Sequence, residues 1–553
     1  MNSWALKGSA RRRTLNSVIA IAAFLIFGAT FRAGIDRGMD QLITWGGYGR
    51  VLNAIAAVMT EQQFHQGGYA LSNCIHGELE RRGITTDPEI AKRFGMTVPQ
   101  NLRANFLDKV LEDVRRDLPN LPPNCDGAIR GLGADDLGYV DFAKLAFSLF
   151  GFQIRAFYYL FFLLYGLTLL AALIERHRDP MGQIVLLSVA GLIYVSCYYS
   201  DFLLLPEPSG SGNMLNPRFM PVLAFVPGVH LLLMLVDKAS PNWWRVAIAI
   251  FQSGVILFTI HIRASAVWWA PTLILALCVL FLLSLSDVGG RRQRLRLAAA
   301  YRGLAAQWPA WIALIVIFVG LKVLAWSLHP VYRAGGWLQY HAMWHSIYYS
   351  LQFHPKYVEK YGAYHRGKGG DEMPFEAALI YLKNHPEEDS PDIYLAGKSL
   401  KYSAMERLDR LAFFEFVRRD PRFVFETFFI VKGQLIWNTI IDATRIEWSR
   451  APWKARFLFI LTIILLAGMA AQRPAELQRL SRFTAVISIG AVASLSIPML
   501  TVVFPQTMSE EIMAIQLAAT LLLSLAVAYL ARAAAAWYRL GRFQPTTVAR
   551  HAE

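Results

Sequence analysis

Four aspartates lie beside apolar segments, where a carboxylate could act on a substrate that is partly embedded in a membrane. Asp36 and Asp40 follow the first apolar run directly, and Asp135 and Asp136 open a later amphipathic segment. As a general base, such a carboxylate would accept a proton from an attacking hydroxyl group within hydrogen-bonding distance. The structural alternative makes Asp36 and Asp40 solvated interfacial residues and Asp135 a helix N-cap. The sequence leaves both interpretations open and predicts these four as the catalytic candidates.

Basic residues near the same boundary form a second group of candidates. Arg218 precedes the fourth apolar run, Arg263 ends the fifth, and Lys432 lies in the second long polar segment. A guanidinium group can bind a phosphate or pyrophosphate with paired donors. The alternative for each is an ordinary anchor to lipid headgroups. We therefore predict that Arg218, Arg263 and Lys432 bind a lipid-linked phosphate.

A histidine pair is the third candidate. His341 and His345 are spaced i, i+4, so that both would face one side of a helix and could ligate a metal. No glutamate lies between them at the position that a zinc protease needs. The alternative is a polar contact face among aromatic residues. The sequence requires no cofactor, and this pair keeps a divalent metal open as an alternative.

The elements that must position these residues are apolar helices. Of the 553 residues, 55% are hydrophobic and 17% are charged, which is typical of a polytopic membrane protein. Apolar runs of roughly 17–25 residues predict about ten transmembrane helices. They lie near Leu15–Thr30, Ala156–Ile174, Gln183–Leu204, Pro221–Val236, Val246–Ile262, Trp268–Leu285, Ala310–Trp326, Phe457–Ala471, Phe483–Phe504 and Ile512–Ala531. The predicted fold class is all-α, with two large and mainly helical external loops.

The net charge of +15 is explained by the membrane topology of the chain rather than by binding of an anionic ligand. Its arginines are spread over alternate short loops, which the positive-inside rule places in the cytoplasm together with both termini. Because the basic residues are dispersed, a nucleic-acid partner is not expected. The absence of Asn-x-Ser/Thr favours a bacterial periplasm over a glycosylating lumen. We predict a multi-pass protein of the bacterial inner membrane, with both large loops in the periplasm.

These predictions divide the chain into five parts. They are a tail and first span (1–31), a first external loop (32–150), a six-helix block (151–326), a second external loop (327–456) and three C-terminal spans with a tail (457–553). In the second loop, Met373–Lys383 and Ala404–Arg419 have the apolar periodicity of amphipathic helices. Phe423–Ile441 is long enough to span, but its polar residues favour an interfacial or half-buried helix.

Two of the four cysteines lie in the first external loop. Because the periplasm is oxidising, Cys74 and Cys125 are predicted to form a disulfide, with two unpaired thiols as the alternative. The bridge would close a loop of about 50 residues and could stabilise the fold by about 4 kcal/mol on the chain-entropy estimate.

The arrangement resembles the GT-C class of membrane glycosyltransferases, which includes protein mannosyltransferases and aminoarabinose transferases. Asp36 and Asp40 match the class in following the first span. The run Asp136-Leu-Gly-Tyr139-Val-Asp-Phe-Ala143 is similar to an Asp-x-x-x-Tyr-x-x-x-Ala pattern of the class, with one residue fewer between Asp and Tyr. The first loop is longer than usual and lacks the acidic pair that several families carry after the first span. The resemblance therefore leaves two locations open for the catalytic base. It is Asp36 or Asp40 after the first span, or Asp135 or Asp136 at the end of the first loop.

The resemblance implies transfer of a sugar from a polyprenyl-phosphate donor, within membrane lipid, to a cell-envelope glycan or lipid. Architecture alone does not establish an activity. The first alternative is a non-catalytic membrane protein whose external domain binds a partner. The second alternative, a lipid or polysaccharide transporter, is less favoured because the region 156–285 holds no acidic residue well inside a span.

Overall fold

The predicted all-α class is confirmed. The structure is a computed structural model that describes residues 2–40, 137–198, 217–237, 240–286, 307–327, 343–361, 372–394, 400, 402–444, 453–501 and 509–542. Throughout these residues the regular elements are helices, and the only extended pairing is an isolated bridge between Tyr394 and Leu400.

Ten helices make up the apolar bundle in the described part of the chain, and each predicted apolar run overlaps one of them. Nine contain stretches long and apolar enough to cross a membrane, and a shorter apolar stretch occupies Arg456–Gln472. The first seven bundle helices, together with the short helix α2, are α1 (Asn2–Asp40), α2 (Leu137–Phe150), α3 (Arg155–Glu175), α4 (Pro180–Tyr198), α5 (Phe225–Val236), α6 (Trp243–Ile262), α7 (Trp269–Ser286) and α8 (Trp308–Ser327).

The later helices form a second apolar core and the end of the bundle. They are α9 (Met343–Tyr349), α10 (Tyr357–Tyr361), α11 (Glu372–Asn384), α12 (Tyr402–Arg419), α13 (Pro421–Phe425), α14 (Lys432–Thr444), α15 (Trp453–Gln472), α16 (Pro474–Thr501) and α17 (Ser509–Arg542). Short 3₁₀-helices at Pro217–Ala224 and Ala264–Trp268 precede α5 and α7.

Helix α5 is the centre of the bundle. All of its residues are buried, which fits a sequence that is apolar on every face. It packs against α3, α4, α6, α8 and α16. A Cβ atom at Gly228 would collide with the ring of Trp269, so that glycine allows α7 to approach the central helix closely. Helix α7 also packs against α5, and α17 packs along both α15 and α16.

Helix α2 is the amphipathic segment that follows Asp135 and Asp136. It turns into α3 at Gly151, whose φ of 84° lies in the left-handed region that glycine adopts without a steric penalty. The side of α2 around Tyr139, Phe142 and Ala146 is buried against α3 and α6. This amphipathic segment is therefore packed on the bundle through its apolar face.

The helix ends form two groups. We call the group around Asp141, Arg263, Leu500 and Glu510 the loop end, because the long segments after α1 and α8 depart from it. We call the opposite group, around Arg176, Asp237, Arg245 and Arg479, the arginine end.

The described residues between 343 and 444 form what we call the loop domain. Helices α9, α11 and α12 pack on one another around an aromatic cluster that includes Tyr348, Tyr361 and Phe416. Helices α11 and α12 confirm the two amphipathic helices predicted for this loop. Phe423–Ile441 is a succession of α13, a π-helix at Glu426–Val431 and α14. Through α14, this domain rests on α16 and α17.

Candidate functional site

A small cavity of about 30 Å³ lies at the loop end of the bundle. It is lined by α5, the 3₁₀-helix Ala264–Trp268, α7, α16 and the beginning of α17. Most of its wall is apolar or weakly polar, formed by residues that include Phe225, Val229, Leu232, Trp268, Trp269 and Ile487. Two acidic side chains also line it, and these give the cavity its chemical character.

Glu510 and Glu511 are adjacent in the first turn of α17, and both line this cavity. Their exposed fractions are only 5% and 2%. The two carboxyl groups interact with each other, and the Oε2 atom of each is buried without a hydrogen-bond partner among the described residues. Acidic residues are favoured at a helix N-terminus, but full burial of two of them is not a usual capping arrangement.

Arg263 supplies a positive charge that interacts with Glu510 of this pair. It ends α6 in extended conformation, and its charge interacts with the carboxylate of Glu510. Its backbone carbonyl accepts a hydrogen bond of 3.1 Å from Ala266, which starts the turn into α7. The end of α6 therefore brings a guanidinium group into electrostatic reach of the carboxyl pair.

A histidine–aspartate pair lies two residues before Arg263. The Nε2 atom of His261 is 2.8 Å from Oδ2 of Asp141, which belongs to α2. Gly138, one turn earlier in α2, lies so close to His261 that a Cβ atom there would meet the His261 backbone carbonyl. Helix α2 is thereby fixed against the end of α6, beside the arginine of the site.

Of the four predicted catalytic aspartates, the structure describes Asp36 and Asp40, both near the end of α1. Asp36 lies in the last turns of α1, is exposed, and forms an ion pair of 3.6 Å with Arg32 of the same helix. Asp40 is the last residue of α1. Asp36 does not line the cavity. Asp135 and Asp136 lie outside the described residues, so that their role stays a prediction.

The predicted phosphate ligands lie on three different elements of the fold. Arg263 belongs to the site just described, and Arg218 lies in the 3₁₀-helix that leads into α5. Lys432 is buried at the start of α14, where its ammonium group donates to Ser350 Oγ at 2.7 Å and to the Leu500 carbonyl at 3.2 Å. Burial lowers the pKa of Lys432 to about 7.

Lys432 therefore connects the loop domain to α16. The Lys432 ammonium group also lies 4.6 Å from the centre of the Phe428 ring, a cation–π distance. With these contacts the side chain is held inside the protein. Binding of a lipid phosphate by Lys432 stays a prediction.

His345 is engaged within the loop domain. Its Nδ1 atom is 3.5 Å from Oδ2 of Asp409, and its backbone N–H donates to the carboxylate of Glu406 at 3.1 Å. Among the described residues, no group of three or more His, Cys, Asp or Glu side chains could hold a metal. His341, the other member of the predicted metal pair, lies outside the described residues, as do Cys74 and Cys125 of the predicted disulfide.

Sequence reasoning overlooks the carboxyl pair. The apolar run that predicts the last span begins at Ile512, which leaves Glu510 and Glu511 in the preceding loop. Two consecutive acids at the start of a span, on the same side as the other candidates, are the signal that could have identified them. Their burial depends on α5, α7 and α16, which are distant in sequence.

No protein-family model, curated protein or solved structure matches this chain. The chemistry of the site must therefore be inferred from its geometry. Ionisable groups within the membrane region are costly to bury, and they usually mark a binding or reaction site. A carboxyl pair beside an arginine, in an apolar cavity at a helix-bundle end, can combine proton transfer with the binding of a phosphate.

Proposed function

We propose that this protein is a membrane glycosyltransferase that transfers a sugar from a polyprenyl-phosphate donor to a cell-envelope glycan or lipid. The observation that carries the proposal is the buried Glu510–Glu511 pair beside Arg263 in an apolar cavity at the loop end. An amphiphilic donor needs both kinds of surface. Its prenyl chain requires apolar contact, and its phosphate requires a cation.

The reaction assigned to this site is a displacement at the anomeric carbon of the sugar. A hydroxyl oxygen of the acceptor attacks that carbon, and its proton passes to a carboxylate of the Glu510–Glu511 pair. The bond between the anomeric carbon and the phosphate oxygen breaks. The polyprenyl phosphate leaves with one additional negative charge, and Arg263 stabilises that charge.

The placement of the carboxyl pair supports this role over that of Asp36. Asp36 is solvated and already paired with Arg32, so it has the ordinary environment of a surface aspartate. Glu510 and Glu511 are removed from water and have acceptor atoms without partners among the described residues. Asp36, Asp40, Asp135 and Asp136 remain the sequence-based alternatives for the base.

The proposal places the loop end on the periplasmic face of a bacterial inner membrane, with both termini in the cytoplasm. The distribution of arginines over the short loops at the other end supports this orientation. The acceptor would then approach from the periplasm, past the loop domain. The donor would enter from the outer leaflet.

The test is turnover by the full-length protein, purified and reconstituted in lipid nanodiscs. A panel of polyprenyl-phosphate sugars would be supplied with envelope extracts as acceptor, and release of polyprenyl phosphate would be followed by mass spectrometry. We expect time-dependent release with at least one donor. If no donor is consumed while the protein remains folded, the glycosyltransferase proposal fails and the partner-binding alternative takes precedence.

A further inference from the structure

A second and larger cavity, of about 480 Å³, opens at the arginine end. It lies where the α3–α4 turn, the end of α5 and the starts of α6 and α16 meet. Charged residues dominate its lining, with five arginines against four carboxylates. The proposed transfer reaction at the loop end uses none of them.

Most of the carboxylates are already neutralised by two arginines. Arg479 donates from Nη1 to Asp179 at 2.6 Å and from Nη2 to Asp237 at 2.6 Å. Arg245 donates from Nε to Glu175 at 2.8 Å. These bonds join helix ends that are far apart in sequence, and they leave few acceptor atoms for other cations.

The remaining arginines, Arg176, Arg178 and Arg473, keep guanidinium N–H groups available for another acceptor. Arg176 is only 4% exposed and pairs with Glu175 at 2.6 Å, with Asp179 at 3.2 Å and with Asp237. Its Nη2 atom is nevertheless buried without a hydrogen-bond partner among the described residues. Arg178 and Arg473 line the mouth, are exposed, and form no ion pair with a described residue. A buried donor without an acceptor is unfavourable, and more so when it belongs to a charged group.

We propose that this cavity binds an anion of the phosphate class, with Arg178 and Arg473 at its mouth and Arg176 at its base. A tetrahedral phosphate offers several oxygen acceptors, and guanidinium groups bind them through paired donors. The four carboxylates disfavour a large polyanion and suit a single phosphate group. Inorganic phosphate and the headgroup phosphate of an anionic lipid share this chemistry.

The site is independent of the proposed glycosyltransferase reaction. It lies at the opposite end of the bundle from Glu510 and Arg263, and its occupancy can be measured without turnover.

Two binding measurements distinguish the two sources of phosphate. Equilibrium dialysis of the full-length protein in maltoside detergent would use radiolabelled inorganic phosphate. Native mass spectrometry would use dioleoyl phosphatidylglycerol, with dioleoylglycerol as the matched lipid that lacks phosphate. We expect wild-type protein to bind at least one of the two phosphate probes and to bind dioleoylglycerol much less.

The test variant is Arg178→Gln/Arg473→Gln, and the control with the same change of charge is Arg418→Gln/Arg419→Gln. All four side chains are exposed, so both variants should fold. We expect the test variant to weaken phosphate binding by about tenfold or more and the control to leave it unchanged. The proposal is overturned if wild-type protein binds neither probe, or if the test variant binds as wild-type protein does.

Arginine modification gives a readout that needs no variant. Phenylglyoxal reacts with accessible guanidinium groups, and adducts can be mapped by mass spectrometry. Saturation with the probe that binds should protect Arg178 and Arg473 and leave Arg418 reactive. Equal reactivity of all three with and without that probe would place the phosphate elsewhere and contradict the proposal.

Discussion

His261 of α6 and Asp141 of α2 form a pair with 2.8 Å between Nε2 and Oδ2, although 120 residues separate them in the chain. The pair is possible because Gly138 lets the two helices come into backbone contact. Arg263 lies only two residues beyond His261. The position of α2 therefore bears directly on the position of the arginine beside the carboxyl pair.

Replacing Gly138 by alanine tests this relationship. The added Cβ atom would meet the backbone carbonyl of His261, which cannot move as a flexible side chain would, so α2 must shift. We expect a lower thermal midpoint of unfolding, with a loss of about 1–3 kcal/mol. Gly254→Ala within α6 is the control, because its added Cβ atom would have no described atom within 4 Å. Equal midpoints for the two variants would show that the close contact is unimportant.

Asp420 is predicted to stabilise the loop domain through a helix cap. Its carboxylate accepts from the Phe423 backbone N–H at 3.2 Å and from the Tyr361 hydroxyl at 2.5 Å, and it also pairs with Lys360. We expect Asp420→Ala to lower the local free energy of opening by about 0.5–2 kcal/mol, as is usual for loss of an N-cap. Hydrogen exchange of the α12 and α13 amides measures this.

The pH dependence of that cap follows from the same contacts. Although burial opposes ionisation, hydrogen bonds from Lys360 and Tyr361 lower the pKa of Asp420 to about 2. A carboxyl group with a depressed folded-state pKa stabilises the fold above its ordinary pKa and loses that effect as pH falls toward 2. The difference between wild type and Asp420→Ala should therefore persist at pH 5. Its disappearance between pH 7 and pH 5 would contradict the assignment, and Glu359→Ala is the exposed control.

Asp409 should have the opposite effect on the pH dependence of stability, because its pKa is raised rather than lowered. Burial raises the pKa of Asp409 to about 6, even though His345 nearby favours the charged form. A carboxyl group with a raised folded-state pKa contributes stability that is complete below its unfolded pKa and is lost as pH rises through 6. The full effect is on the order of 3 kcal/mol for a shift of about two pKa units.

Asp409→Asn isolates this effect, because asparagine is nearly isosteric and does not titrate. We expect the amides of the loop domain to exchange more slowly in the variant than in wild type at pH 8. At pH 4 the two proteins should exchange at about the same rate. Hydrogen exchange of α9 and α12, corrected for intrinsic rates, gives the comparison. A constant difference between the two proteins across this range would rule out titration of Asp409 as the cause.

The fold was predictable from sequence to a large extent because its strongest signals are local. Each apolar run overlaps a helix of the structure, and the periodicity around Met373–Lys383 matches α11. These features depend on the hydrophobicity of neighbouring residues in the chain. The π-helix at Glu426–Val431 had no such signal, and the boundaries of the helices around it could not be predicted.

The candidate site was predictable only in part, because it depends on long-range packing. Arg263 was identified from its position at the end of a span, and it does lie beside the carboxyl pair. Glu510 and Glu511 resemble ordinary first-turn acids in the sequence. Only the surrounding helices show that their carboxyl groups are removed from water. Proximity to the first span drew attention to Asp36, which is solvated in the structure.

The central claim is that the Glu510–Glu511 pair takes the proton from the acceptor, and one kinetic comparison tests it most directly. The rate of polyprenyl-phosphate release would be measured for wild type, Glu510→Gln, Glu511→Gln and the exposed control Glu359→Gln in the same nanodiscs. We predict that at least one of the paired variants loses turnover by about 100-fold or more, while Glu359→Gln keeps the wild-type rate. Wild-type turnover in both Glu510→Gln and Glu511→Gln would contradict the account.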